Sequence, residues 1–181
     1  MATQLRTMTV DDLLAMPEDG MRRELVAGEL LEMTPVGRPH ARTFQRINRS
    51  LDAHVLEHGL GEVYAEYGYV LERDPATVRA PDLSFVRTDR LAESSDEGYF
   101  TGVPDLAIEI VSPNDRPSEV GAKVKEYLDA GTQMVIVADP HNRDVLIHRP
   151  GRPALELAES DVIDGEDVVP GWKLPVRDIF A

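Results

Sequence analysis

The chain has 181 residues and no cysteine. Disulfide frameworks and thiolate metal sites are therefore excluded. No apolar run is long enough to span a bilayer. The opening stretch, "MATQLRTMTVDDLLAMPEDG", lacks the basic-then-apolar pattern of a signal segment. These absences lead to the expectation of a cytoplasmic protein with no membrane partner. Positive charge is scarce: 19 Lys and Arg stand against 33 Asp and Glu, for a net charge of −14. Such a molecule repels a polyanion at long range. Any nucleic-acid contact must then rest on a local basic surface. Zinc-finger spacing, a Gly-rich phosphate loop and a nucleophile elbow are all missing.

What remains is an ordinary globular composition, 42% hydrophobic and 29% charged. Neither repeats nor a linker divide the chain. We expect one domain over residues 1–181, with a helical arm over 1–20. "TVDDLLAMP" reads as a short helix capped by Thr9. "RRELVAGELLEM" reads as a hairpin turning at Ala27 and Gly28. Phe44, Ile47, Leu51 and Val55 recur at helical spacing over residues 41–58, and Gly59 suits that helix's end. "GEVYAEYGYVLE", "APDLSFV" and "PDLAIEIVS" read as strands. A second helix runs from Pro117 or Ser118 to Ala130. "QMVIVAD" and "DVLIHRP" read as a hairpin through "PHNR". "PALELAES", "GWKLP" and a terminal turn at "VRDIF" complete the chain. The order predicts an α/β class, a mixed sheet with helices packed on it.

The stretch "PDLAIEIVSP" carries the functional question. Glu109 lies in a strand that reads as buried on both faces. A lone buried carboxylate is costly unless a cation, a metal or several donors hold it. Alternation puts Asp105, Ala107, Glu109 and Val111 on one face and Leu106, Ile108 and Ile110 on the other. Asp82 begins the strand in "APDLSFV". If the two strands are neighbours, Asp82 and Glu109 converge. Two carboxylates with water and a substrate oxygen suit Mg²⁺, with Mn²⁺ as a substitute. The plainer reading is that Glu109 faces solvent or pairs with an arginine.

Lys123 and Lys125 follow on the next helix. Helical spacing sets Lys123 beside Val120, Val124 and Tyr127, nearer the apolar stripe than Lys125. From there an ammonium can reach back toward Glu109. Both lysines could equally be solvated, with Glu119 and Lys123 paired across a turn.

Taken in order, "RRELVAGELLEMTP", "RPHARTFQRI", "RAPDLSFV", "PDLAIEIVSPNDR", "AKVKEYLDAGTQMVIVADP" and "GWKLPVRDIF" resemble the Uma-two family. Those bacterial proteins are described as restriction-endonuclease-like, within the PD-(D/E)XK nuclease superfamily. The resemblance spans nearly the whole chain. It implies a restriction-endonuclease-like core with a central mixed β-sheet flanked by helices. It assigns Mg²⁺ binding to Asp82 and Glu109. The superfamily's lysine, two residues after the second acid, is replaced here by Val111. "KVKEY" matches a lysine moved to the next helix, so the role passes to Lys123, with Lys125 in reserve. Glu24 matches a family acid and would be an accessory ligand or acceptor; a surface hairpin acid is the plainer reading. His40 matches a helix-opening histidine that would contact phosphate, or simply bond locally. The resemblance also implies a homodimer.

One basic stretch stands out. "GRPHARTFQRINR" holds Arg38, Arg42, Arg46 and Arg49 with no acid among them. On a helix, Arg42, Arg46 and Arg49 form a stripe that could hold DNA phosphates, or pair with acids elsewhere. Two functions follow as expectations. One is a Mg²⁺-dependent endonuclease that cuts DNA with a metal-activated water. The other is a catalytically inactive module on the same fold, which binds nucleic acid or protein and has Lys123 pointing away.

Overall fold

A computed structural model describes residues 7–17, 19–93 and 98–181. Residues 1–6 of the expected arm and most of the acidic stretch "AESSDEG" lie outside these. The elements in order are α1 (Val10–Leu14), β1 (Arg23–Val26), β2 (Glu29–Glu32), α2 (Arg38–His58), β3 (Gly61–Ala65), β4 (Tyr69–Arg73), β5 (Ala76–Arg79) and β6 (Leu83–Arg87). A 3₁₀ turn leads to β7 (Phe100–Thr101), β8 (Leu106–Ile110), α3 (Pro117–Ala130), β9 (Met134–Asp139), β10 (Asp144–His148) and β11 (Leu155–Leu157). The chain closes with β12 (Val162–Asp164), β13 (Lys173–Pro175) and α4 (Val176–Phe180).

The central sheet has six strands in the order β11-β10-β9-β8-β6-β3. Only β8 and β9 run parallel, because α3 carries the chain back between them. One face of this sheet presents Leu83, Phe85, Leu106, Ile108, Ile110, Met134 and Ile136 to Ile47, Leu51 and Val55 of α2 and to Trp172. The other face presents Ala107, Val135 and Val137 to Val124 and Tyr127 of α3. Glu109 follows Ala107 in the alternation and so lies under α3. A five-stranded sheet, β2-β1-β5-β4-β7, packs beside it. The Tyr69 hydroxyl of β4 donates to Ser84 Oγ of β6 at 2.7 Å and joins the two sheets. On the smaller sheet, Leu13 of α1 packs with Leu25, Val70 and Val78.

Local chemistry explains most boundaries. Thr9 and Asp12 form a reciprocal cap on α1. The long helix begins at Arg38, three residues before the start expected at residue 41, because Pro39 suits a first turn and Gly37 caps it. It ends at Gly59 in the left-handed conformation, φ 61°. One reading fails. "GEVYAEYGYVLE" is not one strand but two, β3 and β4, in different sheets. Glu66 turns the chain between them with φ 51°. At Gly68 the Tyr99 ring lies so close that any Cβ would overlap it.

Candidate active site

Strands β6 and β8 pair antiparallel, with Leu83 opposite Ile108. This register brings Asp82, just before β6, across from Glu109. Both carboxylates are buried, at 3% and 6% exposure. The solvent-facing reading of Glu109 is therefore excluded.

Three donors from three parts of the chain hold Asp82. The Ile110 N–H donates to Oδ2 at 2.7 Å. His40 Nε2 lies 3.2 Å from the same oxygen. Arg22 NH1 donates to Oδ1 at 2.9 Å. Burial alone would raise the pKa of this carboxyl. The His40 bond, the Arg22 charge and the Ile110 N–H outweigh burial and hold it below the ordinary aspartate value.

Glu109 is held differently. Lys123 Nζ donates to Oε2 at 3.1 Å and the Tyr127 hydroxyl to Oε1 at 2.9 Å. Burial, with Asp82 and Glu24 nearby, pushes its pKa up to about 6, against the pull of Lys123 and Arg22. Burial would lower the Lys123 pKa, but Glu109 and Glu24 outweigh it and keep the ammonium charged. Burial and Glu109 hold the Tyr127 pKa well above the ordinary range, so its hydroxyl remains a donor.

Glu24 completes the cluster. It is fully buried, not a surface hairpin acid. Its Oε2 accepts from Arg79 NH1 at 2.7 Å and its Oε1 from the Ala80 N–H at 3.0 Å. Lys123 Nζ stands 3.7 Å from Oε1, between the two glutamates. Arg79 also donates to Glu126 of α3 at 2.6 Å. A cleft of about 700 Å³ adjoins the cluster, with His40, Val111 and Ser112 among its walls and Val120, Val124 and Leu146 along its apolar side.

Five of the residues singled out in the sequence thus meet: Glu24, His40, Asp82, Glu109 and Lys123. Lys125 does not join them; it is exposed and pairs with Asp129 one turn on. The arginine stripe is incomplete. Arg38, Arg42 and Arg49 are exposed. Arg46 is half-buried and turns its guanidinium to the Asp178 and Ile179 carbonyls, at 3.4 and 3.5 Å. Sequence reasoning missed Arg22, Arg79 and Glu66 as members of the cluster. It also placed Tyr127 on the apolar face without giving its hydroxyl a role. The signal for Tyr127 was present, since it lies four residues after Lys123 and so on the same helix face.

A family model described as Uma2, "putative restriction endonuclease", matches residues 10–177. The chain belongs to the Uma2 family. A crystal structure of a protein described as a putative nuclease, from Anabaena variabilis, matches this Uma2 chain with a TM-score of 0.84. The two are 21% identical, over 96% of this chain and 97% of that one. The likeness is one of fold, and it agrees with the mixed α/β class read from the sequence. No curated protein matches the chain. No helix among the described residues is long and apolar enough to cross a membrane.

The donor chemistry of this Uma2 site fits a hard divalent cation. Asp82 and Glu109 offer carboxylate oxygens from adjacent strands, the ligand type that Mg²⁺ prefers. Among the described residues, no three His, Asp or Glu side chains form a metal-holding group. Asp82 and Glu109 are the two side chains that such an ion would use.

Proposed function

We propose that this protein is a Mg²⁺-dependent endonuclease that hydrolyses DNA phosphodiester bonds, with Mn²⁺ as an alternative ion. The observation that carries the reading is the Lys123 ammonium on Glu109, 3.1 Å from Oε2, on the carboxylate that faces Asp82. An acid pair with a lysine beside it is the chemistry that phosphodiester hydrolysis needs. The inactive-module alternative has Lys123 pointing away, and this contact counts against it.

In this reading Asp82 and Glu109 hold the ion. When bound, the ion supplies Lewis acidity, lowering the pKa of a water and offsetting charge on the phosphate. The Ile110 N–H and His40 fix the orientation of Asp82. Tyr127 fixes that of Glu109. Lys123, kept charged by its two glutamates, orients the attacking water and offsets charge that builds on the phosphate oxygens. Arg38, Arg42 and Arg49 hold flanking phosphates without reading sequence. The protein acts in the cytoplasm as a homodimer, whose second copy would add a further arginine surface.

Calorimetric titration with Mg²⁺ and Mn²⁺, together with cleavage of plasmid DNA, tests the reading. The expected result is metal-dependent cleavage that falls by at least about 10²-fold in Asp82→Ala, Glu109→Ala and Lys123→Ala, and ion binding lost in Glu109→Ala. Folded wild-type protein that neither binds the ion at millimolar concentration nor cuts DNA with it would sink the proposal. Cleavage that survives in Glu109→Ala would do the same.

A further inference from the structure

We propose that Arg22 occupies the divalent cation's place at Asp82, and that Glu66 takes up Arg22 when the ion binds. The inference rests on the metal reading above and deepens it.

The argument begins with the two oxygens of Asp82. Each carboxylate oxygen has about two acceptor positions. On Oδ2, the Ile110 N–H and His40 Nε2 use both. Oδ1 is the less used oxygen: Arg22 NH1 takes one of its two positions at 2.9 Å, and its positive charge lies against an ion that enters at the other. A guanidinium does not lose its proton in a protein. It cannot relieve repulsion from a divalent ion by becoming neutral. It must move.

The present seat of Arg22 is also incomplete. NH1 is shared between Asp82 and Glu66, and NH2 donates to the Ala80 carbonyl. Nε is buried and has no partner. A buried donor without an acceptor costs free energy, so leaving this seat forfeits less than a fully bonded arginine would.

A destination is already in contact. Glu66 Oε1 lies 3.2 Å from Arg22 NH1, and the Glu66 side chain is 54% exposed. Its backbone is anchored in the left-handed conformation by a bond from its N–H to the Asp82 carbonyl, 3.2 Å. Movement toward Glu66 frees Oδ1 and takes the guanidinium to the solvent edge, still paired. Lys123 needs no such exchange, because it already stands between Glu109 and Glu24. The arrangement favours an ion of higher charge than the tethered guanidinium, and so divalent cations over monovalent ones.

The test is calorimetric titration of the full chain with Mn²⁺, on wild type, Arg22→Gln, Glu66→Gln, the double variant and Glu109→Ala. Circular dichroism checks that each is folded. We expect Arg22→Gln to bind at least about tenfold more tightly than wild type, since one positive charge beside the ion is removed. Glu66→Gln binds about threefold or more weakly, because Arg22 loses its alternative partner. In the Arg22→Gln background, Glu66→Gln should change affinity by less than about twofold. Arg22→Gln no tighter than wild type overturns the inference. So does an equal effect of Glu66→Gln in both backgrounds, which would mean simple through-space attraction. If Arg22→Gln is unfolded, Glu66→Gln alone decides: unchanged or tighter binding overturns the inference. Binding that is lost in Glu109→Ala but indifferent to Arg22 removes this inference and leaves the metal site standing. No binding by any variant, Arg22→Gln included, removes both.

Discussion

Asp82 accepts from an arginine ahead of β1, a histidine on α2 and a backbone N–H of β8. Glu109, opposite it, accepts from two side chains of one helix, Lys123 and Tyr127. The first carboxyl is held below its ordinary pKa and the second is pushed up to about 6. Equal burial therefore has opposite results. A backbone N–H within the sheet and a guanidinium at 2.9 Å offset the desolvation of Asp82. One ammonium and one hydroxyl do not offset that of Glu109, which also feels two other acids. The pair thus combines a carboxylate held charged at neutral pH with one whose charge depends on what is bound nearby.

The largest effect separates the two by stability. Asp82→Ala leaves the Ile110 N–H and His40 without their partner and Arg22 with Glu66 as its one remaining acid, and should cost about 3–5 kcal/mol. Glu109→Ala leaves Lys123 beside Glu24 and removes a charge that folding penalises, so it should cost about 1–2 kcal/mol. Urea denaturation at pH 7 with a chelator measures both. The reverse order would break the comparison.

The next effect is the opposite dependence on pH. The Glu109 carboxyl has a pKa of about 6 when folded, against 4.5 for an unperturbed glutamate. The folded state binds that proton more tightly, so the stability this group contributes is complete below pH 4.5. It is lost as pH rises through about 6. Asp82 runs the other way: its contribution is present above 3.8, the value of an unperturbed aspartate, and is lost as pH falls. Glu109→Gln stays neutral throughout. Relative to wild type, it should gain about 2 kcal/mol between pH 4.5 and pH 7 without metal. A difference that does not change with pH would mean that Glu109 is already ionised without cost.

Much of this site is legible from period alone. Alternation in "LAIEI" sets Glu109 on the face opposite Ile108 and Ile110, and helical spacing sets Lys123 against it. These are local regularities, and the structure keeps them. Glu24 could not be assigned in the same way. Its burial depends on β1 joining β5, where Leu25 meets Val78, a pairing between distant segments. Arg79 lies on that same β5, which no alternation marked. The split of "GEVYAEYGYVLE" depends on the Tyr99 ring seated over Gly68, which again comes from far along the chain. Arg46 carries the same lesson, since its partners are carbonyls more than a hundred residues away.

The smallest effect tests whether α3 alone sets the Glu109 side. Tyr127→Phe keeps the ring in the core and removes one donor from Oε1. The loss should be about 1.5 kcal/mol at pH 7, the lower end for one hydrogen bond to a charged acceptor. The remaining partner, Lys123, then carries Glu109 alone, so the carboxyl should titrate above 6. Carboxyl NMR chemical shifts across pH 5–8, compared with wild type, read that directly. An unchanged titration would mean that the Tyr127 hydroxyl contributes packing and no charge stabilisation. Ion binding should weaken only slightly, because the second oxygen of Glu109 keeps its place through Lys123. Large losses of both stability and binding in this variant would instead give Tyr127 a part as large as the one Arg22 and His40 share at Asp82, and the asymmetry between the two carboxylates would disappear.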